Sequence, residues 1–250
     1  MNEGRNIKLT IAYDGAGFCG WQRQDSERTV QGVIEKALEK MHGYSVNLTG
    51  SGRTDSGVHA AGQTANFYTN IDTIQPERFT HALNSLLPSD VRVIQAEEAD
   101  GNFHARFSAK ARLYRYQFIC SPLRPLLPHE NRYNLRLFRY PRVELLNAYG
   151  RLLFGETDCS VFAGAGDTSK SKNRYVYSAY FYMEKNSLIF EIRANAFLRN
   201  MVRSVAGTFL YYEEKTAPPE KLREIISSGE RSRAGPTLPP HGLFLWKVEY

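Results

Sequence analysis

Residues 49–63 restrict this chain more than any other stretch: Thr49-Gly50-Ser51-Gly52-Arg53-Thr54-Asp55-Ser56-Gly57-Val58-His59-Ala60-Ala61-Gly62-Gln63. Four glycines among these fifteen positions make a helix or a paired strand entropically costly, and Thr54-Asp55-Ser56 is a run whose side chains bond their own backbone in turns. The composition predicts an ordered loop. It lies between Ser45–Leu48 and Gln63–Tyr68, which read as strands, so its carboxylate, Asp55, would be presented at a sheet end, where functional loops concentrate. The alternative is a plain Asp-Ser-Gly turn whose carboxylate caps local amides.

The chain before the loop starts with Ile7–Tyr13, an alternating run that reads as a half-buried strand. Gly15, Gly17 and Gly20 then match G-x-G-x-x-G, the dinucleotide-binding fingerprint. That fingerprint needs a helix opening on the glycines and an acid about 20 residues on, at the end of the next strand. Here Trp21–Ser26 intervenes, and the acid nearest that spacing, Glu39, falls inside a helix, so a nicotinamide-dependent oxidoreductase is disfavoured. The helix begins after Thr29, a fair N-cap, with Val30, Val33, Ile34, Ala37, Leu38 and Met41 in one stripe. Beyond the loop, Thr64–Tyr68 extends as a strand, Pro76 opens a helix that buries Phe79, Ala82, Leu83 and Leu86, and Val91–Ala96 is a strand. The order β-α-β-β-α-β is the ferredoxin-like arrangement.

The rest of the chain repeats that order. Ala111–Cys120 reads as a strand and Val143–Leu153 as a helix. Tyr175–Met183 and Leu188–Ile192 form a strand pair, Asn195–Tyr212 is a helix capped by Asn195, and Leu243–Tyr250 is the last strand. The expected fold is therefore α+β, with two ferredoxin-like halves, residues 1–105 and 106–250, whose sheets would join around a cleft. Two long loops carry cations suited to phosphate: Ser121–Tyr140 with Arg124, His129, Arg132, Arg136 and Arg139, and Gly164–Arg174 with Lys170, Lys172 and Arg174.

With 42% apolar residues among 250, the chain can bury a core and is not a disordered one. A net charge of +6 fits a polyanionic partner without requiring it. Cys19, Cys120 and Cys159 are odd in number and widely spaced, so neither a disulfide framework nor a zinc site is indicated. With no apolar leader and no apolar run of membrane-spanning length, the expectation is a soluble cytoplasmic protein.

Gly52-Arg53-Thr54-Asp55-Ser56-Gly57-Val58-His59 resembles the active-site signature of the TruA family of tRNA pseudouridine synthases. Further blocks resemble that family in order along nearly the whole chain. They are Tyr13-Asp14-Gly15 with Gly20–Gln24, Phe103–Ala109 with Tyr114-Arg115-Tyr116, Ala194–Phe197 with Met201-Val202-Arg203, and Ala234–Thr237 with Pro240–Leu243. The resemblance implies the pseudouridine synthase fold, a pair of such halves with a central, mostly antiparallel sheet and a basic cleft. It implies isomerisation of uridine to pseudouridine on the 3′ side of the anticodon stem-loop of tRNA, with no metal and no organic cofactor, by a homodimer whose two subunits hold one tRNA.

By the same resemblance Asp55 is the essential catalytic residue and Arg203 is its basic partner. Tyr114 lies against the uracil, Arg53 helps to displace the target base, and Leu243 floors the uracil pocket. Read from residues alone, Tyr114 shares a strand face with Tyr116 and Phe118 and could be core, and Leu243 could be plain strand core. His59 reads as a structural hydrogen-bonder and stays outside the catalytic set. Ala60-Ala61 and Leu113 depart from residues common in the family, but neither change touches a catalytic type. The alternatives are a synthase for other RNA uridines and a non-catalytic RNA-binding module.

Overall fold

The computed structural model describes residues 4–250 and divides the chain into two compact units. The first runs to Lys110 and takes back Leu245–Tyr250; the second is Ala111–Phe244.

The first unit contains β1 (Arg5–Tyr13), α1 (Val30–His42), β2 (Thr49–Gly50), β3 (His59–Thr69), α2 (Phe79–Asn84) and β4 (Val91–Ala99), the expected β-α-β-β-α-β order. β1 lies antiparallel between β3 and β4, and β2 pairs antiparallel with β3. Alternation decides the faces: Ile7, Leu9 and Ile11 of β1 are fully buried with Val30, Ile34 and Leu38 of α1 and with Phe79 and Leu83 of α2. Phe67 of β3 meets Phe79 edge-on at 5.6 Å. Thr29 caps α1 by accepting the Gly32 amide, as expected.

Two expectations fail here. Ser45–Leu48 is not a strand, although Val46 and Leu48 are buried as the alternation required. The Leu48 amide donates to Glu35 Oε1 and its carbonyl accepts from Gln31 Nε2, so helix side chains satisfy the backbone groups that a strand neighbour would otherwise take. Leu86 is exposed and Leu87 is buried instead, because α2 ends at Asn84 and the helical spacing does not reach that far.

The second unit contains β5 (Ala111–Cys120), α3 (Pro128–Tyr133), β6 (Leu135–Leu137), α4 (Val143–Arg151), β7 (Gly155–Asp158), β8 (Asn173–Glu184), β9 (Ser187–Ala194), α5 (Met201–Glu214) and α6 (Pro219–Ser228). The last strand, β10 (Leu243–Glu249), begins in this unit and ends in the first. Its strands run β5-β9-β8-β7, all antiparallel, with β6 parallel to β5. Phe181 and Phe190 stack at 4.4 Å, and Tyr149 of α4 and Phe209 of α5 complete an aromatic core. Both units mix helices with antiparallel strands, so the α+β class holds.

The helix expected over Asn195–Tyr212 starts six residues late. Asn195 does not cap it: its amide and side-chain oxygen bond the Tyr175 carbonyl and amide, prolonging the sheet. The Arg199 carbonyl and amide are taken by Gly164 and Asp167, and Asn200 stands at φ +60°, outside helical space. Tertiary partners thus satisfy the backbone groups that a first helical turn would have used.

Glu213, 1% exposed, joins α5 to the start of α4 through Arg139 at 2.5 Å and Arg142 at 2.9 Å. Burial pushes its carboxyl up, but bonds from the Arg142 amide and guanidinium and from Arg139 outweigh that and hold it below the ordinary carboxylate range. Stability from this group is therefore present at neutral pH and is lost as pH falls below about 4. Because both arginines are a third to a half exposed (34% and 47%), the expected cost of Glu213→Gln is modest, about 1–2 kcal/mol at pH 7 by urea unfolding. The difference from the parent should shrink on acidification.

Candidate active site

The loop between β2 and β3 is Ser51–Val58, shorter than the glycine content predicted. His59–Gln63 belongs to β3, where Ala60 registers with Tyr13 and Gln63 with Ile11 across a bulge that absorbs the extra residue. Gln63 closes the base of the loop: its side chain accepts from Ser51 Oγ at 2.6 Å and donates to the Gly52 carbonyl at 2.9 Å. Within the loop Arg53 is exposed, Thr54 is buried and Asp55 is half-buried.

What orders the loop is the turn Asp14–Trp21, including the glycines that mimic a dinucleotide fingerprint. No helix opens on them; Gly15–Gly17 is a single tight turn capped by Asp14, and α1 starts only at Val30. The turn lies directly against the loop. Trp21 donates its amide to the Thr54 carbonyl at 3.2 Å, Gly57 donates to the Phe18 carbonyl at 3.3 Å, and Ser56 Oγ donates to the same carbonyl at 3.2 Å. The Tyr13 hydroxyl meets Thr54 Oγ1 at 2.8 Å. Burial holds the Tyr13 phenol well above its ordinary pKa, so it stays protonated.

Two glycines make this approach possible. A Cβ on Gly20, which has φ +89°, would lie 2.7 Å from the Thr54 carbonyl, and one on Gly15 would lie 2.0 Å from that of Val58. His59, fully buried, accepts the Gly15 amide on Nδ1 at 3.0 Å, with Asp14 Oδ1 3.2 Å from the same atom. It is a strand residue that holds the turn in place. Gly15 and Gly20 are required by this backbone approach, not by a helix opening on them.

In the second unit Tyr114 stands half-buried on β5, one step along the face from the buried Tyr116 and Phe118, and its ring takes the edge of Phe197 at 4.9 Å and 78°. Phe197 precedes α5, which starts at Met201, and packs edge-on against Tyr114. Arg203, in the first turn of α5, is half-buried, donating Nε to the Leu238 carbonyl at 2.6 Å and a terminal nitrogen to Asn200 Oδ1 at 2.9 Å. Arg199 lies before that helix, which starts at Met201.

One segment, Leu238–Leu243, connects these residues. Tyr116 donates its hydroxyl to the Pro239 carbonyl, the Gln117 amide donates to the Gly242 carbonyl at 2.8 Å, and Leu243, 3% exposed, donates its amide to Pro240. Burial raises the Tyr116 phenol, and the Arg203 charge works against that rise.

Several loop cations already have partners within the chain. Arg124 makes a two-point ion pair with Glu130, lowering that carboxyl to about 2 with help from the Leu127 amide. Arg139 is committed to Glu213 and Lys172 to Asp167. Lys170 is exposed. Among the described residues no cluster of three His, Cys, Asp or Glu could hold a metal ion, and no helix is long and apolar enough to cross a membrane.

A family model described as tRNA pseudouridine synthase matches residues 9–108 and 150–250. The chain is 49% identical to tRNA pseudouridine synthase A of Treponema denticola, over 98% of this chain and 93% of that one. It is 47% identical to the Treponema pallidum protein of the same name, over 96% and 86%, and 43% identical to that of Caldicellulosiruptor saccharolyticus, over 98% and 100%. The chain belongs to the tRNA pseudouridine synthase family.

The loop geometry sets an expectation. Gly20→Ala should push Thr54 and displace Asp55, lowering turnover on tRNA at least about tenfold in a protein that still unfolds cooperatively. Tyr13→Phe, which removes one buried hydrogen bond, should cost about 1–3 kcal/mol in urea unfolding.

Proposed function

We propose that this chain isomerises uridine to pseudouridine in tRNA, with Asp55 as the essential group. Family membership across both units is the observation that carries this reading. The reaction breaks the bond from C1′ to N1, turns the uracil and joins C1′ to C5; N1 gains a proton and C5 loses one. Substrate and product are isomers, so no net redox or hydrolytic step occurs and neither a metal nor an organic cofactor is required. An ionised carboxylate suffices, as a nucleophile at C1′ or at C6 or as a base toward a ribose proton.

The remaining residues take roles consistent with their surroundings. Tyr114, its ring buttressed by Phe197, lies against the base in this reading and assists loss of the C5 proton. Arg203, oriented by Leu238 and Asn200, supplies the cation that keeps a carboxylate ionised. Leu243 supplies apolar surface for the uracil. Arg53, exposed on the loop, helps to displace the base; extracting a nucleotide from a helix costs a few kcal/mol and needs such help. We extend the reading to uridines on the 3′ side of the anticodon stem-loop, to a homodimer and to the cytoplasm.

Pseudouridine mapping on unmodified tRNA tests this directly. Asp55→Ala and Asp55→Asn should each lower conversion at least about 10³-fold while tRNA is still bound. Binding without conversion by the parent chain would leave only an RNA-binding module. Tyr114→Phe should retain tRNA affinity and lower single-turnover conversion, whereas Tyr114→Ala should weaken both.

A further inference from the structure

We propose that the turn Phe103–Ser108 is a further RNA-contact site, in which the Phe107 ring stacks on an unpaired base of the tRNA; this rests on the function proposed above. Phe107 is 76% exposed, the most exposed aromatic ring among the described residues. An apolar ring left in water on a floppy loop would mean little, but this turn is tightly built. Ser108 donates its amide to the His104 carbonyl at 2.9 Å and accepts the His104 amide on Oγ at 3.1 Å. His104 Nδ1 accepts the Arg106 and Phe107 amides at 3.2 and 3.3 Å.

The turn is also fastened to the strands beneath it. Ala105 is fully buried, with its amide on Asn66 Oδ1 at 2.9 Å and its carbonyl accepting the Tyr250 hydroxyl at 2.8 Å. The ring is therefore held out by ordered backbone, and little freedom remains to be lost when a ligand covers it.

Its neighbours identify the ligand chemistry. The His104 ring lies 4.4 Å from the phenyl ring at 34°, and the Arg106 guanidinium lies 5.5 Å from its centroid. With Nδ1 accepting, the His104 ring proton sits on Nε2, a donor. A flat ring flanked by a guanidinium and a ring N–H matches a nucleotide: the base stacks and the phosphate meets the cation. An apolar protein partner would find one ring bordered by charge rather than a continuous apolar patch.

The test uses the full chain with Phe107→Ala, Phe107→Trp and Arg106→Ala, titrated with unmodified tRNA across a range of salt concentrations, with sedimentation of each variant alone. Phe107→Ala should raise Kd about tenfold with its salt slope unchanged, because stacking releases no counterions, and Phe107→Trp should restore the parental affinity. Arg106→Ala should reduce the slope of log Kd against log salt by about one. Parental affinity in Phe107→Ala would overturn the proposal. So would an altered sedimentation coefficient with unchanged tRNA affinity, which would assign the ring to a second copy of the chain. A parent that converts uridine while Phe107→Ala binds as tightly sinks this inference alone, whereas a parent that neither binds nor converts tRNA sinks the function as well.

Discussion

The first unit depends on the close approach of two stretches of backbone. The turn Asp14–Trp21 and the loop Ser51–Val58 share hydrogen bonds between main-chain groups, and Gly15 and Gly20 allow them within contact distance. Main-chain bonds at Thr54 and Gly57 fix the backbone on both sides of Asp55. The turn is itself secured by α1, whose first amides, Val30 and Gln31, donate to the Gly20 and Trp21 carbonyls. Arg28, which donates to the Gly17 carbonyl at 3.2 Å and pairs with Asp90 at 2.9 Å for both bonds, ties it to the start of β4.

The second unit uses a similar device with different chemistry. Leu238–Leu243 is clasped between β5, through Tyr116 and Gln117, and α5, through Arg203. Arg203 donates in a fixed plane to Leu238 and Asn200, so its guanidinium has a defined direction that a flexible ammonium would lack. Lysine at this position would keep the charge but lose that geometry. The segment Ser121–Tyr140, expected as a loop, carries α3 and β6, and its Arg124 and Arg139, which looked available for phosphate, are bound to Glu130 and Glu213.

Much of this was legible without coordinates. The β-α-β-β-α-β order of the first unit, the Thr29 cap, the span of β5 and the Asp55 loop all follow from local preferences, because alternation, helical spacing and turn residues act over a few positions. The family blocks named Asp55, Tyr114, Arg203, Arg53 and Leu243 as candidates. What sequence reading misplaced were segments whose backbone is satisfied by distant partners. Ser45–Leu48 looked like a strand and is held by side chains of α1, and Asn195–Asn200 looked like a helical turn and is held by Tyr175, Gly164 and Asp167. No local rule anticipates such bonds, since their donors and acceptors lie from 13 to 35 residues apart.

The same division explains the glycines at 15, 17 and 20. Their spacing is a property of sequence that matches the dinucleotide fingerprint, and only the residues that follow, Trp21–Ser26, disfavour that fold. Their purpose is a property of tertiary structure, since only the folded chain shows the Thr54 and Val58 carbonyls where a side chain would have to be. Sequence by itself determined the class of fold, the family and which carboxylate could matter, because those rest on residue types at fixed spacing. Tertiary structure decided which backbone holds that carboxylate, which cations are already engaged and which aromatic ring is left facing solvent, because those depend on contacts between residues far apart in the chain.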